Sequence, residues 1–102
     1  IEMLLAALGA CQEITYRAYA TAMHIPLDSV AVRLTGDIDL RGFFGVNDAI
    51  RAGFHKIHGE VHITSSASAA ELARLKAAVD SHCPVLDMLS TPVPVTLALI
   101  TD

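Results

Sequence analysis

The feature that most constrains the fold is the apolar run at the start of the chain. Residues 3–10 contain only methionine, leucine, alanine and one glycine, and after Glu2 the next polar side chain beyond Cys11 is Gln12. These residue types favour a helix, so we predict one long helix from about Glu2 to His24, ended by the turn at Pro26. A helix that is apolar on all sides is normally buried on all sides. We therefore expect this helix at the centre of the assembly.

Two further segments alternate between apolar and polar side chains. The first covers residues 30–40, and the second runs from about Phe54 to Thr64. A period of two is typical of a half-buried strand. The stretch between them, residues 41–53, contains three glycines and the adjacent Phe43 and Phe44. Loops of this length in compact domains are often functional, so we predict two strands joined by a long, functional loop.

The second half of the chain adds two helices and a last strand. Ser68 and Glu71 form a capping box that begins a helix ending near His82. Pro84 favours the first turn of a short helix directly afterwards. A final strand is predicted from the alternation of Val93, Val95, Leu97 and Leu99. This order predicts an α+β fold, in which a long central helix and a second helix pack on a mainly antiparallel sheet.

Composition limits the classes of function. A length of 102 residues fits a single domain over 1–102. Hydrophobic residues make up 53%, which indicates extra burial against a partner, most simply a second copy. The net charge is −4 and the seven basic residues form no run, which argues against nucleic-acid binding. Because no apolar stretch reaches about 18 residues and no signal-peptide pattern is present, we predict a cytoplasmic protein without membrane contact.

The five histidines do not predict a metal centre. His58 and His62 share a strand face but stand about 13 Å apart, too far to bind one zinc ion. His55 has the opposite parity. The chain also lacks zinc-ligand spacing, a phosphate-binding glycine loop and a Gly-x-Ser-x-Gly nucleophile motif. We therefore predict no metal and no cofactor.

The remaining chemistry lies with Cys11 and Cys83. Cys83 precedes Pro84 and so lies at or next to the start of a short helix, where free amides and the helix dipole lower a thiol pKa. Cys11 lies within a helix and needs a positive neighbour from elsewhere to ionise. Either thiol can instead be a small buried hydrophobe, or the two can form a structural disulfide. The local sequence leaves these alternatives open.

Together, the two cysteine segments resemble the OsmC/Ohr family, the osmotically inducible and organic-hydroperoxide-resistance proteins. The matching residues are Glu2-Met-Leu-Leu-Ala-Ala-Leu-Gly-Ala-Cys11 and Cys83-Pro84-Val85. Residues 40–45 and 51–54 are more similar to the OsmC-like branch than to the Ohr branch. The resemblance covers essentially the whole chain, in the right order.

This resemblance implies an OsmC-like fold, an intertwined homodimer with sites at the subunit interface, and a thiol peroxidase that defends a bacterial cell against oxidative stress. Cys11 takes the position of the peroxidatic cysteine and Cys83 that of the resolving cysteine. The implied substrate is a small organic hydroperoxide. A dithiol reductant is implied as the partner that reopens the disulfide.

Two departures from the family pattern lead to an alternative function. Active members use an arginine from strands before this helix, and we expect that this upstream sequence is missing here. The candidates to replace it are Arg17, Arg41 and Arg51. Active members also carry a glutamate ten residues before the cysteine, where this chain has Ile1; Glu2 is rotated by about 100° from that position. The alternative is a non-catalytic OsmC-like dimer that binds a small apolar ligand or acts as a regulatory module.

Overall fold

The structure is a computed structural model that describes residues 1–101. The elements of this part of the chain are α1 (Glu2–Ala22), β1 (Ser29–Ile38), α2 (Leu40–Phe43), β2 (Phe54–Thr64), α3 (Ala69–His82) and α4 (Pro84–Ser90). The α+β class predicted from the sequence is confirmed. Of the helices in residues 1–101, none combines the length and apolarity needed to cross a membrane.

Helix α1 ends at Ala22, two residues earlier than predicted. His24 adopts a left-handed backbone conformation with φ of 56°. Its N–H donates to Thr21 O at 3.2 Å, and the N–H of Ile25 donates to Ala20 O at 2.9 Å. This pair of hydrogen bonds is a Schellman motif, which satisfies the last carbonyl groups of a helix. The helix therefore ends at its own C-terminal cap, and Pro26 is not what ends it.

Strands β1 and β2 form an antiparallel pair that runs from Ser29 opposite Thr64 to Asp37 opposite Lys56. The predicted alternation is confirmed along β1, where every second side chain is at least partly buried. The strand ends at Ile38 rather than at residue 40, because the Asp39 carboxylate accepts the N–H of Arg41 at 3.0 Å and caps α2. The predicted loop 41–53 thus begins with a helical turn.

Gly59 provides a test of this strand pairing. A Cβ at Gly59 would collide with the backbone carbonyl of Arg33 on β1, and main-chain atoms cannot rotate away. We expect Gly59→Ala to lower the free energy of unfolding by about 1–3 kcal/mol. Gly53→Ala is the matched control, because the space around Gly53 is open. Urea unfolding compares the two variants, and equal midpoints would contradict the close approach.

The core lies between α1, α3 and the inner face of the sheet. Its buried members are Tyr16, Ala20, Ile25, Val30, Leu75 and Val79. Helix α3 begins as predicted, since Ser68 Oγ accepts the N–H of Glu71 at 3.2 Å. The Ser68 hydroxyl also contacts the Glu71 carboxylate at 3.3 Å. This cap fixes the start of the helix that leads to Cys83.

Within the single chain α1 is buried on one side only, and its place at the centre of an assembly stays a prediction. One stripe of the helix is buried: Leu8, Gln12, Thr15, Tyr16 and Ala20. On the other side Met3 is 84% exposed and Ile14 is 69% exposed. The physical reason is that β1, α3 and α4 all contact α1 from the buried side. The apolar composition of α1 therefore exceeds what this chain alone can cover.

The predicted final strand is also absent from the described residues, because residues 92–101 have no regular secondary structure. Val95, Leu97 and Leu99 are 74%, 91% and 89% exposed, respectively. A strand forms only when a neighbouring strand pairs with its backbone N–H and C=O groups. In residues 1–101 the sheet consists of β1 and β2 alone. The alternating apolar side chains of this segment therefore have no surface in residues 1–101 against which they can be buried.

Candidate thiol site

Helices α1 and α4 bring the two cysteines together. Cys11 and Cys83 are 72 positions apart, yet their Sγ atoms lie 3.3 Å from each other. Both are free thiols, since a disulfide bond is about 2.05 Å long. A small movement of either side chain would allow them to bond. The chemical roles assigned to the two residues stay predictions.

Cys83 is fixed by the junction of α3 and α4. It is the C-cap of α3 and the N-cap of α4, and Pro84 occupies the first turn of α4. Its N–H donates to Val79 O at 2.9 Å, while its carbonyl accepts the N–H of Asp87 at 3.0 Å. Its exposed fraction is 0%. The sulfur is therefore held rigidly and is closed to solvent.

The surroundings of Cys83 act on its pKa in two directions. Burial raises the pKa, because the thiolate loses its hydration. The backbone N–H of Leu86, the Cys11 thiol, the Gln12 side chain and the backbone N–H of Val85 lower it. The net result is a pKa below the ordinary value for a thiol. This agrees in direction with the effect expected at the start of a short helix.

Cys11 differs from Cys83 in its access to solvent. It is partly exposed, whereas Cys83 is fully buried. Its Sγ lies 4.0 Å from the Oγ1 of Thr15, one helical turn further along α1. Of the two cysteines, Cys11 is therefore the more accessible to a molecule that arrives from solution.

The arginines proposed as neighbours of Cys11 make other contacts. Arg17 pairs with Glu13 at 3.9 Å on the surface of α1. Arg41 binds the carboxylate of Asp39, and this hydrogen bond is the main cause that lowers the pKa of Asp39 to about 2. The hydrogen bonds found for Cys11 within residues 1–101 involve no cation.

Arg51 and Glu2 are also separated from Cys11. Arg51 is exposed and lines a cavity of about 390 Å³ beside the start of β2. Glu2 lies nine positions before Cys11, which is about 13 Å along the helix axis. Its side chain is 94% exposed. Neither residue is among the hydrogen-bonding partners of Cys11 within residues 1–101.

Sequence reasoning missed Gln12. This residue is 7% exposed and lines a cavity of about 530 Å³ together with Leu8 and Tyr16. Its Nε2 has no hydrogen-bonding partner of normal geometry in the described chain, although the side chain is near enough to Cys83 to lower the pKa of that thiol. Its position could have predicted its burial, since Gln12 lies four residues from both Leu8 and Tyr16 and so shares their face of the helix.

Two of the three histidines of β2 have separate partners on the exposed face of the sheet. His58 Nε2 lies 2.8 Å from the hydroxyl of Thr35, and His62 Nε2 lies 2.8 Å from the carboxylate of Glu60. Residues 1–101 contain no cluster of three or more side chains suited to hold a metal ion. His58 and His62 thus each make a pairwise polar contact.

Comparison with known proteins identifies the family. The crystal structure of an OsmC-like protein from Mycoplasma pneumoniae matches with a TM-score of 0.76 and 24% sequence identity, over 88% of this chain and 60% of that one. This likeness shows a shared fold, and the chain spans about three fifths of that protein's length. None of the curated proteins compared matches the chain. The family model described as OsmC-like protein matches residues 1–98. The family resemblance of the two cysteine segments is thereby confirmed, and the chain belongs to the OsmC-like protein family.

Proposed function

We propose that this protein reduces organic hydroperoxides, with Cys11 as the peroxidatic thiol and Cys83 as the resolving thiol. The observation that carries the proposal is the 3.3 Å contact between the sulfurs of a partly exposed cysteine and a buried one. A peroxide needs access to the first thiol only. The second thiol needs only to reach the first, and burial protects it from unwanted oxidation.

The reaction follows ordinary thiol chemistry. The Cys11 thiolate attacks one peroxide oxygen, the O–O bond breaks, and the other oxygen leaves with a proton as an alcohol. Cys11 is then a sulfenic acid. The Cys83 thiolate attacks Cys11 Sγ, a disulfide forms, and the hydroxyl of the sulfenic acid leaves as water after taking up a proton. A dithiol reductant donates two electrons and restores both thiols.

The apolar surface around Cys11 supports an organic substrate. Leu4 and Ile14 lie seven residues before and three residues after Cys11, on the same side of the helix, and are 38% and 69% exposed. We propose that a second copy of the chain covers this side of α1. Such a homodimer would enclose Cys11 in a dry pocket, which favours an organic hydroperoxide over hydrogen peroxide. The dithiol reductant fits a cytoplasmic location.

A single-turnover experiment tests the proposed function. Fully reduced protein is mixed with one equivalent of cumene hydroperoxide, and free thiols are counted over time. We expect rapid loss of both thiols in the native chain and none in Cys11→Ser. Cys83→Ser should stop at a sulfenic acid on Cys11 that dimedone traps, because the second thiol is missing.

The serine variants also serve as the matched controls, since serine differs from cysteine by one atom. Thiol loss in the native chain no faster than that of a free thiol would contradict the proposal. That result would favour the non-catalytic alternative, an OsmC-like dimer that binds a small apolar ligand. Equal thiol loss in Cys11→Ser and in the native chain would overturn the assignment of the peroxidatic residue.

A further inference from the structure

Gln12 is a buried polar side chain that the two-thiol chemistry above does not use. It is 7% exposed, and its Nε2 finds no hydrogen-bonding partner within residues 1–101. A buried donor without a partner destabilises a fold, and native structures contain few of them. The carboxamide of Gln12 therefore destabilises the folded protein, unless it donates a hydrogen bond to an acceptor that forms during function.

The group that fits is the sulfur of Cys83 in its ionised form. Gln12 lines the same cavity as Leu86, the third residue after Cys83, and it directly follows Cys11, whose Sγ lies 3.3 Å from Cys83 Sγ. A neutral thiol is a weak hydrogen-bond acceptor, whereas a charged acceptor forms shorter and stronger bonds. The Gln12 side chain therefore gains a strong partner only when Cys83 loses its proton.

Other charged groups near Cys83 face elsewhere. On α1, its neighbours are Cys11 and Gln12, and on α4 they are backbone amides. On α3, Lys76 and Asp80 line the cavity with Gln12 but pair with each other, while His82 Nδ1 lies 2.7 Å from Ala78 O and its ring stacks on Tyr19. Asp87 on α4 is exposed. The charge of a Cys83 thiolate is thus met by uncharged donors.

We propose that Gln12 is a positioning residue for Cys83, and that its side-chain N–H donates to Cys83 Sγ when this sulfur is a thiolate. The backbone N–H groups of Val85 and Leu86 act on the same sulfur. Together these donors take the place of a cation. They hold the buried thiolate in contact with Cys11 Sγ, ready to close the disulfide.

The same hydrogen bond also directs the reduction of the disulfide, a consequence that rests on the proposed function. Because Cys11 is partly exposed and Cys83 is fully buried, a thiolate of the dithiol reductant attacks Cys11 Sγ. Its attack breaks the Cys11–Cys83 bond, and the electron pair goes to Cys83, whose thiolate Gln12 stabilises. A stabilised thiolate leaves faster. The second thiol of the reductant then attacks the mixed disulfide, which releases Cys11 and oxidises the reductant.

Titration of Cys83 tests the proposal without any peroxide. In a Cys11→Ser background, thiolate formation is followed by ultraviolet absorbance against pH, with Cys11→Ser/Cys83→Ser as the blank. Gln12→Met keeps the length of the side chain and removes its donors. We expect the midpoint to move to higher pH and the thiolate fraction at neutral pH to fall about three- to tenfold. Gln12→Glu should shift the midpoint further, because a carboxylate repels the thiolate. Thiolate curves that coincide for glutamine, methionine and glutamate would overturn the proposal.

Thr15→Val is the matched control for these titrations. Thr15 is buried on the same helix, but its hydroxyl faces Cys11 rather than Cys83. We expect its replacement to leave the Cys83 titration unchanged. A shift as large as that of Gln12→Met would contradict a specific role for Gln12.

Stability separates this role from a merely structural one. Gln12→Met should unfold at the same urea concentration as its parent or a higher one, because it removes an unsatisfied donor. A structural role predicts a lower midpoint with an unchanged thiolate curve. In the native background, the disulfide is formed with diamide and reduced with dithiothreitol, and we expect reduction to slow about three- to tenfold in Gln12→Met. If cumene hydroperoxide fails to oxidise the native thiols, the proposed function is refuted, while the titration still decides the role of Gln12.

Discussion

Oxidation of Cys11 and Cys83 to a disulfide is expected to raise the free energy of unfolding by about 4 kcal/mol. The bond would join residues 72 positions apart, and a cross-link over a loop of this length removes much conformational freedom from the unfolded chain. The two sulfurs already touch in the folded chain, so the bond forms with little distortion. Urea unfolding of diamide-oxidised and fully reduced protein measures the difference.

Cys83→Ser, treated with diamide in the same way, is the control for this prediction. It lacks the second sulfur and should show no gain in stability. Oxidised and reduced native protein that unfold at the same urea concentration, with both thiols consumed, would contradict the expected stabilisation. Free thiols that persist after diamide treatment would contradict the contact between the two sulfurs. Neither result depends on whether the protein reduces peroxides.

Leu75→Ala is expected to lower the free energy of unfolding by about 2–5 kcal/mol. Leu75 is fully buried in the cluster that joins α3 to α1 through Tyr16 and Val79. Its truncation removes apolar contacts and leaves a cavity that its neighbours fill only in part. The measurement is the urea midpoint and slope of the reduced protein.

Val46→Ala is the comparison for Leu75→Ala, since Val46 is 74% exposed. Its effect should stay within about 0.5 kcal/mol. Equal destabilisation by the two substitutions would show that α3 does not pack on α1 as described. The loss of packing in Leu75→Ala should also slow the formation of the disulfide by diamide. Helix α3 leads to Cys83, so its packing on α1 sets the distance between Cys83 and Cys11.

The parts of the fold that the sequence predicts correctly have local signals. The alternation in β1 and β2 is visible in each strand alone, and Ser68 with Glu71 marks the start of α3 within four residues. The end of α1 is harder to predict, because it depends on the left-handed conformation of His24. No residue type requires that conformation at this position. The prediction relied on Pro26 instead, and it therefore placed the end of the helix two residues too late.

The sequence-based predictions that are wrong, or that stay untested, concern contacts between residues far apart in the sequence. The C-terminal residues have the alternation of a strand, but a strand also needs a neighbour, which the pattern does not provide. Cys11 and Cys83 could be paired only through the family resemblance. Gln12 was missed because a glutamine on a helix is usually solvated. Its burial arises from the sheet, which packs against α1 from later in the chain.

The uncovered C-terminal segment has a further consequence for how this chain behaves in solution. Residues 95–101 carry no charge and are rich in β-branched and leucine side chains, which is the composition of segments that stack into cross-β fibrils. Pro92 and Pro94 lie just before this segment, and no proline interrupts it. An isolated chain that leaves this segment open therefore carries an aggregation hazard. Whatever structure covers it also protects the protein from self-association.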